Sequence, residues 1–209
     1  MIDTLVFDIG NVLVDWYPLP YVRTFVDNDR DAERLTSMIF LGPEFKAGDM
    51  GVFTRADTRA ALLTRYPDEA ELIGKILDGC DEILVASQEN TALLRELKAA
   101  GFSLYFLSNT NPSAFEYMTK THEFFRYLDG GIASFRVHLL KPDPAIFKKF
   151  ERTFTKQPSH CVFVDDSPAN TAAAAEYGFH TVTLKNIPDL REELLKFPEI
   201  REALERAGN

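Results

Sequence analysis

Five short apolar runs punctuate the chain, each closed by polar turn residues. The first, Thr4 to Ile9, ends at Gly10-Asn11. The second, Ser103 to Leu107, ends in Ser108-Asn109-Thr110-Asn111-Pro112. A weaker third covers Gly131 to Phe135. The fourth, Cys161 to Val164, ends in Asp165-Asp166-Ser167-Pro168, and the fifth, His180 to Leu184, ends at Lys185-Asn186. Runs this short, continuous rather than alternating, predict strands buried on both faces, as in a parallel sheet.

Between them the spacing changes to that of helices. Asn90 is a candidate cap for a helix with Leu93, Leu94 and Leu97 on one face and Gly101 as its stop. Pro144 to Phe154 carries Ile146, Phe147 and Phe150 on one stripe. Ser167-Pro168 reads as a cap followed by a first-turn proline, and Gly178 closes that helix. Its Ala172 to Ala175 run lets it lie close against a sheet. Strand, helix, strand from residue 90 onward predicts an α/β fold with a doubly wound parallel sheet and right-handed crossovers.

Residues 16–87 break that rhythm. Helical patterning covers Asp31 to Phe40, Thr54 to Tyr66 and Asp68 to Leu77, with no convincing buried strand. A structureless loop of roughly seventy residues is implausible in a compact domain, so the expectation is a helical insertion at 16–87 in a core made of 1–15 and 88–209. Within it, Gly42 to Gly51 reads as a loop that either connects helices or reaches the site.

Composition narrows the partners. The chain has 209 residues, a 45% hydrophobic share and a net charge of −9, an ordinary globular composition whose sign disfavours nucleic acid and anionic membranes. Only Cys80 and Cys161 are present, which speaks against a disulfide scaffold or zinc site, and no signal peptide or membrane span is visible. The expectation is a cytoplasmic protein; the oligomeric state is not legible.

In open α/β sheets ligands bind beyond the carboxyl ends of the strands. Those ends carry Asp8, Ser108-Asn109 and Asp165-Asp166, and the connection after the third strand delivers Lys141 before Pro142. Singly, each has a structural reading: a turn residue, a helix cap, a solvated lysine. Together they do not, because three carboxylates crowded on one rim repel unless a cation sits among them. Hard oxygen donors select Mg²⁺, which usually brings a phosphate. A carboxylate can attack phosphorus directly, with Mg²⁺ and Lys141 neutralising the equatorial oxygens and Ser108 holding the transferring group.

Phe7-Asp8-Ile9-Gly10-Asn11-Val12, Leu107-Ser108-Asn109-Thr110, Lys141-Pro142 and Phe163-Val164-Asp165-Asp166 resemble, in order, the four motifs of the haloacid dehalogenase-like hydrolase superfamily. The resemblance implies that the helical insertion is a cap of the C1 type. It further implies that Asp8 is the nucleophile and a metal ligand, that the Gly10 main-chain carbonyl, Asp165 and Asp166 complete the metal site, and that Ser108, Asn109 and Lys141 bind phosphate. Asn170 falls where many members carry another acid that holds a metal-bound water. One position departs from the pattern. Most phosphatases of the family have an acid two residues after the nucleophile, and here that position is Gly10. The Asp-x-Gly-Asn-Val variant is similar to the bacterial glucose-1-phosphate phosphatase branch, which implies a hexose 1-phosphate or a related small phosphorylated metabolite as substrate. A water, or a side chain of the insertion such as Lys46, is the expected alternative proton source. Two rivals stand beside this reading. A haloacid dehalogenase needs no metal, and is expected to show an aromatic residue near Gly10 and cationic clamps in the cap. A catalytically silent interaction protein has no reason to keep Asp8, Lys141 and Asp166. His122-Glu123 begins like a zinc-protease helix, but Arg126 stands where the second histidine belongs.

Overall fold

The computed structural model describes residues 1–208. Its centre is a five-stranded, all-parallel sheet in the order β3-β2-β1-β4-β5. The strands are β1 (Thr4–Phe7), β2 (Ser103–Ser108), β3 (Gly130–Ala133), β4 (Cys161–Asp165) and β5 (His180–Thr183). All five apolar runs are therefore strands, and the doubly wound α/β expectation holds. β1 and β4 are buried at every residue, which is why their sequences are continuously apolar.

Helices cover both faces. Between β1 and β2 lie α1 (Pro18–Val22), α2 (Asp29–Phe40), α3 (Pro43–Asp49), α4 (Arg55–Arg65), α5 (Ala70–Gly79) and α6 (Gln88–Ala99). Then follow α7 (Pro112–Thr121), α8 (Ser134–Val137), α9 (Pro144–Phe154), α10 (Pro168–Tyr177), α11 (Leu190–Leu194) and α12 (Pro198–Ala207). The α9 stripe of Ile146, Phe147 and Phe150 is buried against one face of the sheet with Phe163 and Phe179. α10 ends at Gly178, in the left-handed conformation that glycine adopts freely. Among the described residues no helix is long and apolar enough to cross a membrane.

Helices α1 to α5 bury a cluster of their own, including Val22, Leu35, Ile39, Leu62, Ile73 and Ile76. The chain enters and leaves this unit side by side. Asp15 N–H donates to the Val85 carbonyl at 2.8 Å and Ser87 N–H to the Leu13 carbonyl at 2.9 Å.

Two local readings need correction. Ser87, not Asn90, caps α6, its hydroxyl accepting from Asn90 N–H at 3.2 Å. The buried Asn90 amide instead donates to the carbonyls of Val12 and Ile187. And Gly42 to Gly51 is mostly helix rather than loop: Pro43 opens α3 at its first turn and Phe45 packs between Trp16 and Phe40. Three glycines in ten residues hid the helix, because tertiary packing of Phe45 overrides their poor propensity.

Candidate active site

Because β1 is central and flanked by β2 and β4, their carboxyl ends place Asp8, Ser108 and Asp165-Asp166 on one edge, where the chain winds outward in both directions. Asp8 follows the last residue of β1. Its N–H donates to the Val164 carbonyl at 2.8 Å, and its Oδ1 accepts from Ile9 N–H at 2.7 Å. Lys141, in the turn before α9, lies with its side chain fully buried between two carboxylates: Nζ is 2.9 Å from Asp8 Oδ2 and 2.6 Å from Asp165 Oδ2. Burial pushes the Asp8 carboxyl up to about 7 against the pull of Lys141, with the charges of Asp165 and Asp166 adding to the rise. Burial also opposes the Lys141 charge, but Asp8 and Asp165 outweigh it and hold the ammonium above its ordinary range.

Asp8, Asp165 and Asp166 bring carboxylate oxygens within 4.8 Å of one another. One ammonium among three carboxylates leaves surplus negative charge, and burial already penalises ionisation of Asp8. Such a set of hard donors fits Mg²⁺. The three are not equivalent, however. Asp165 accepts from Ser167 N–H at 2.8 Å, from Asn170 Nδ2 at 2.9 and 3.1 Å and from Lys141. Both its oxygens are thus engaged and it is fully buried, so Asp165 anchors Lys141 while Asp8 and Asp166 face the cavity. Asn170, expected near a metal-bound water, is spent on Asp165. Asp166 is held from the other side by Asn11, whose Nδ2 donates to Oδ2 at 3.0 Å and whose Oδ1 accepts from Trp16 N–H at 2.9 Å. Asn11 does this from the left-handed region (φ 53°), which asparagine tolerates better than most residues.

A cavity of about 150 Å³ opens over this edge. Asp8, Gly10, Ser108, Asn109 and Asp166 line it from the sheet, with Asn111, Ala114 and Met118 beside them; Trp16, Phe45 and Asp49 line it from the helical insertion. Of the expected phosphate-binding residues, Ser108 and Asn109 line the cavity and Lys141 does not. Moreover, the Asn109 side chain clamps the Lys141 main chain, accepting from its N–H at 2.9 Å and donating to its carbonyl at 3.0 Å. Asn109 therefore positions the lysine. Lys46 is exposed and away from the cavity. His122 accepts no metal role either: its Nε2 lies 2.7 Å from the Leu84 carbonyl.

Asp49, Trp16, Phe45, Asn11 and Asn111 escaped the sequence reading as site residues. Asn11 and Asn111 stood in the polar turns after the first and second runs, and Phe45 and Asp49 in the Gly42 to Gly51 stretch read as a connector or as reaching the site; Trp16 carried no signal. A Cβ built on Gly10 would meet the Trp16 Cβ at 3.6 Å, so the indole stands where a longer side chain at position 10 would extend. Trp16 stacks on Phe45 with ring centroids 6.1 Å apart and meets Phe40 edge-on at 5.6 Å. Burial pushes the Asp49 carboxyl up to about 7, the Asn111 amide lowering it and the Asp8 charge raising it.

Comparison with known proteins gives the family and the fold. The family model for a haloacid dehalogenase-like hydrolase matches residues 2–178. The chain is 28% identical over 167 residues to (S)-2-haloacid dehalogenase 1 of Pseudomonas sp. (strain CBS-3), covering 80% of this chain and 66% of that protein's length, just under two thirds. It is 27% identical over 207 residues to the D-ribitol-5-phosphate phosphatase of Bacteroides thetaiotaomicron, covering 93% and 97%. In fold it resembles a HAD family enzyme from Bacteroides thetaiotaomicron solved in complex with magnesium and inorganic phosphate, with a TM-score of 0.72, 24% identity and coverage of 89% and 96%.

Proposed function

Since the chain belongs to the haloacid dehalogenase-like hydrolases, we propose that it is a Mg²⁺-dependent phosphatase of a small phosphorylated polyol or sugar, a hexose 1-phosphate among the candidates. The observation that carries this reading is the pairing of Asp8 with Asp166 at the floor of one cavity, backed by the buried Lys141. Asp8 attacks phosphorus and the bond to the leaving oxygen breaks, giving an aspartyl-phosphate that water then hydrolyses. Lys141 orients the Asp8 carboxylate from behind. Ser108 and Asn109 line the place of the phosphoryl group. Asp8, Asp166 and the Gly10 main chain would hold Mg²⁺, which supplies charge neutralisation at the phosphoryl oxygens. The helical insertion, as a cap, closes the cavity, whose 150 Å³ suits a small ester and lies below the ~300–1,000 Å³ of sites for drug-sized ligands.

The dehalogenase reading has Trp16 and Phe45 in its favour, as an aromatic wall beside Gly10, together with the Pseudomonas relative. A haloacid's carboxylate, however, needs a cation. Among the described residues lining the cavity there is no lysine or arginine to bind it.

Phosphate release should be measured from aryl phosphate, polyol phosphates and matched hexose 1- and 6-phosphates, with chloride release from 2-chloropropionate in parallel. Mg²⁺-dependent phosphate release, abolished by chelation and by Asp8→Asn, is the expected result. Chloride release without phosphate release would transfer the protein to the dehalogenases.

A further inference from the structure

Position 10 offers no acid, yet expelling an ordinary alkoxide from phosphorus needs a proton, and general acid–base help is worth about 10²–10⁴ in rate. Whatever supplies it must line the cavity. Among the described lining residues the only titratable side chains are Asp8, Asp49 and Asp166. Asp8 is the attacking group. Asp166 is tied to Asn11 and belongs with the metal donors. Asp49 belongs to neither set: its carboxyl meets the Asn111 amide, and it enters the cavity from the end of α3.

Its placement is fixed by the main chain. The Asp49 carbonyl accepts from the Ser134 hydroxyl at 2.7 Å, and the same hydroxyl accepts from Thr110 N–H at 2.9 Å, in the turn that follows Ser108. His138 Nδ1 lies 2.8 Å from the Met50 carbonyl. The end of α3 is therefore fastened to the core at two successive residues, although it belongs to the insertion.

On the phosphatase reading above, we propose that Asp49 is the general acid and base of this enzyme, replacing from the insertion the carboxyl that position 10 lacks. In the first half-reaction an Asp8 oxygen bonds to phosphorus, the bond from phosphorus to the leaving oxygen breaks, and that oxygen takes both the electron pair and the Asp49 proton. In the second, the Asp49 carboxylate takes a proton from water as the water oxygen bonds to phosphorus. The bond from phosphorus to Asp8 breaks, releasing inorganic phosphate and restoring both carboxyl groups to their starting states. A carboxyl pushed up to about 7 by burial, as Asp49 is, suits a group that gives a proton in the first step and takes one in the second. With it in place, alkyl esters need no activated leaving group.

The test is Asp49→Asn with two substrates, read by rapid mixing. Wild-type protein is first shown to hydrolyse p-nitrophenyl phosphate with Mg²⁺; failure there overturns the phosphatase reading and this inference with it. For hexose 6-phosphate, the variant should lose about 10²–10⁴ in kcat. For p-nitrophenyl phosphate, whose leaving group needs no proton, it should release one equivalent of nitrophenolate in a burst and then turn over slowly, because the phosphoenzyme lacks its base. Asp49→Glu should restore part of the 6-phosphate activity. An equal loss on both esters with no burst, or a variant that matches wild type, overturns the role of Asp49 and leaves the phosphatase reading standing.

Discussion

The carboxylates of the site differ by what holds them, and this separates their effects on mutation. Asp165 is dry, spent on Lys141, Ser167 and Asn170, whereas Asp166 lines the cavity and is held by Asn11. Asp165→Ala strands a buried ammonium on Asp8 alone, and breaking a buried pair typically costs about 3–5 kcal/mol. A urea midpoint should fall accordingly. Asp166→Ala removes a donor near the cavity and should leave the midpoint almost unchanged while weakening Mg²⁺ binding at least tenfold, measured by titration calorimetry. The opposite pattern would assign the metal to Asp165. Lys141 shows the same dependence on surroundings. Read along the chain it was a phosphate ligand; in the fold it is enclosed between Asp8 and Asp165 and does not line the cavity.

β1 and β4 were legible because both faces are buried, so that apolarity alone marks them, whereas β5 lies at the sheet's edge with His180 and Thr183 exposed and does not fit the expectation of burial on both faces. α9 was legible to the residue, Pro144 to Phe154, because a proline start and a single apolar stripe coincide there. The gathering of Asp8, Ser108 and Asp166 on one edge was legible because strand ends deliver these residues in chain order. α3 was not, and Asp49 only as part of a stretch that could reach the site, since no local signal records that Phe45 packs on Trp16 or that the Asp49 main chain meets Ser134. Gly51 is the joint at that end. It has φ +69°, and a Cβ there would come within 2.3 Å of the Phe135 carbonyl oxygen. Gly51→Ala should cost about 1–3 kcal/mol of local strain and lift the end of α3 from the core. kcat on alkyl phosphates should then fall more than stability does, and a thermal melt beside steady-state kinetics would distinguish the two.

Across the molecule, Asp81 ties the insertion to the sheet's helices. One oxygen takes Arg55 of α4 at 2.7 Å and the other the Ser113 hydroxyl of α7 at 3.2 Å. Asp81→Ala should loosen that link, raising KM several-fold and exposing the stretch between α5 and α6 to limited digestion by a glutamate-specific protease at Glu82, followed by gel and mass spectrometry; unchanged digestion would show the tie to be ornamental. The sheet order carries a different consequence, for biosynthesis. β1 is the middle strand, yet it is made first, and its neighbours begin only at Ser103 and Cys161. At ribosomal speed Asp8 waits on the order of ten to thirty seconds for its second flanking strand. Meanwhile α1 to α5 have a cluster of their own on which to close. The nascent chain thus carries a bare apolar strand that needs shelter, and the edge that gathers Asp8, Ser108 and Asp166 exists only when translation has passed Asp166, so an unfinished copy lacks the candidate site.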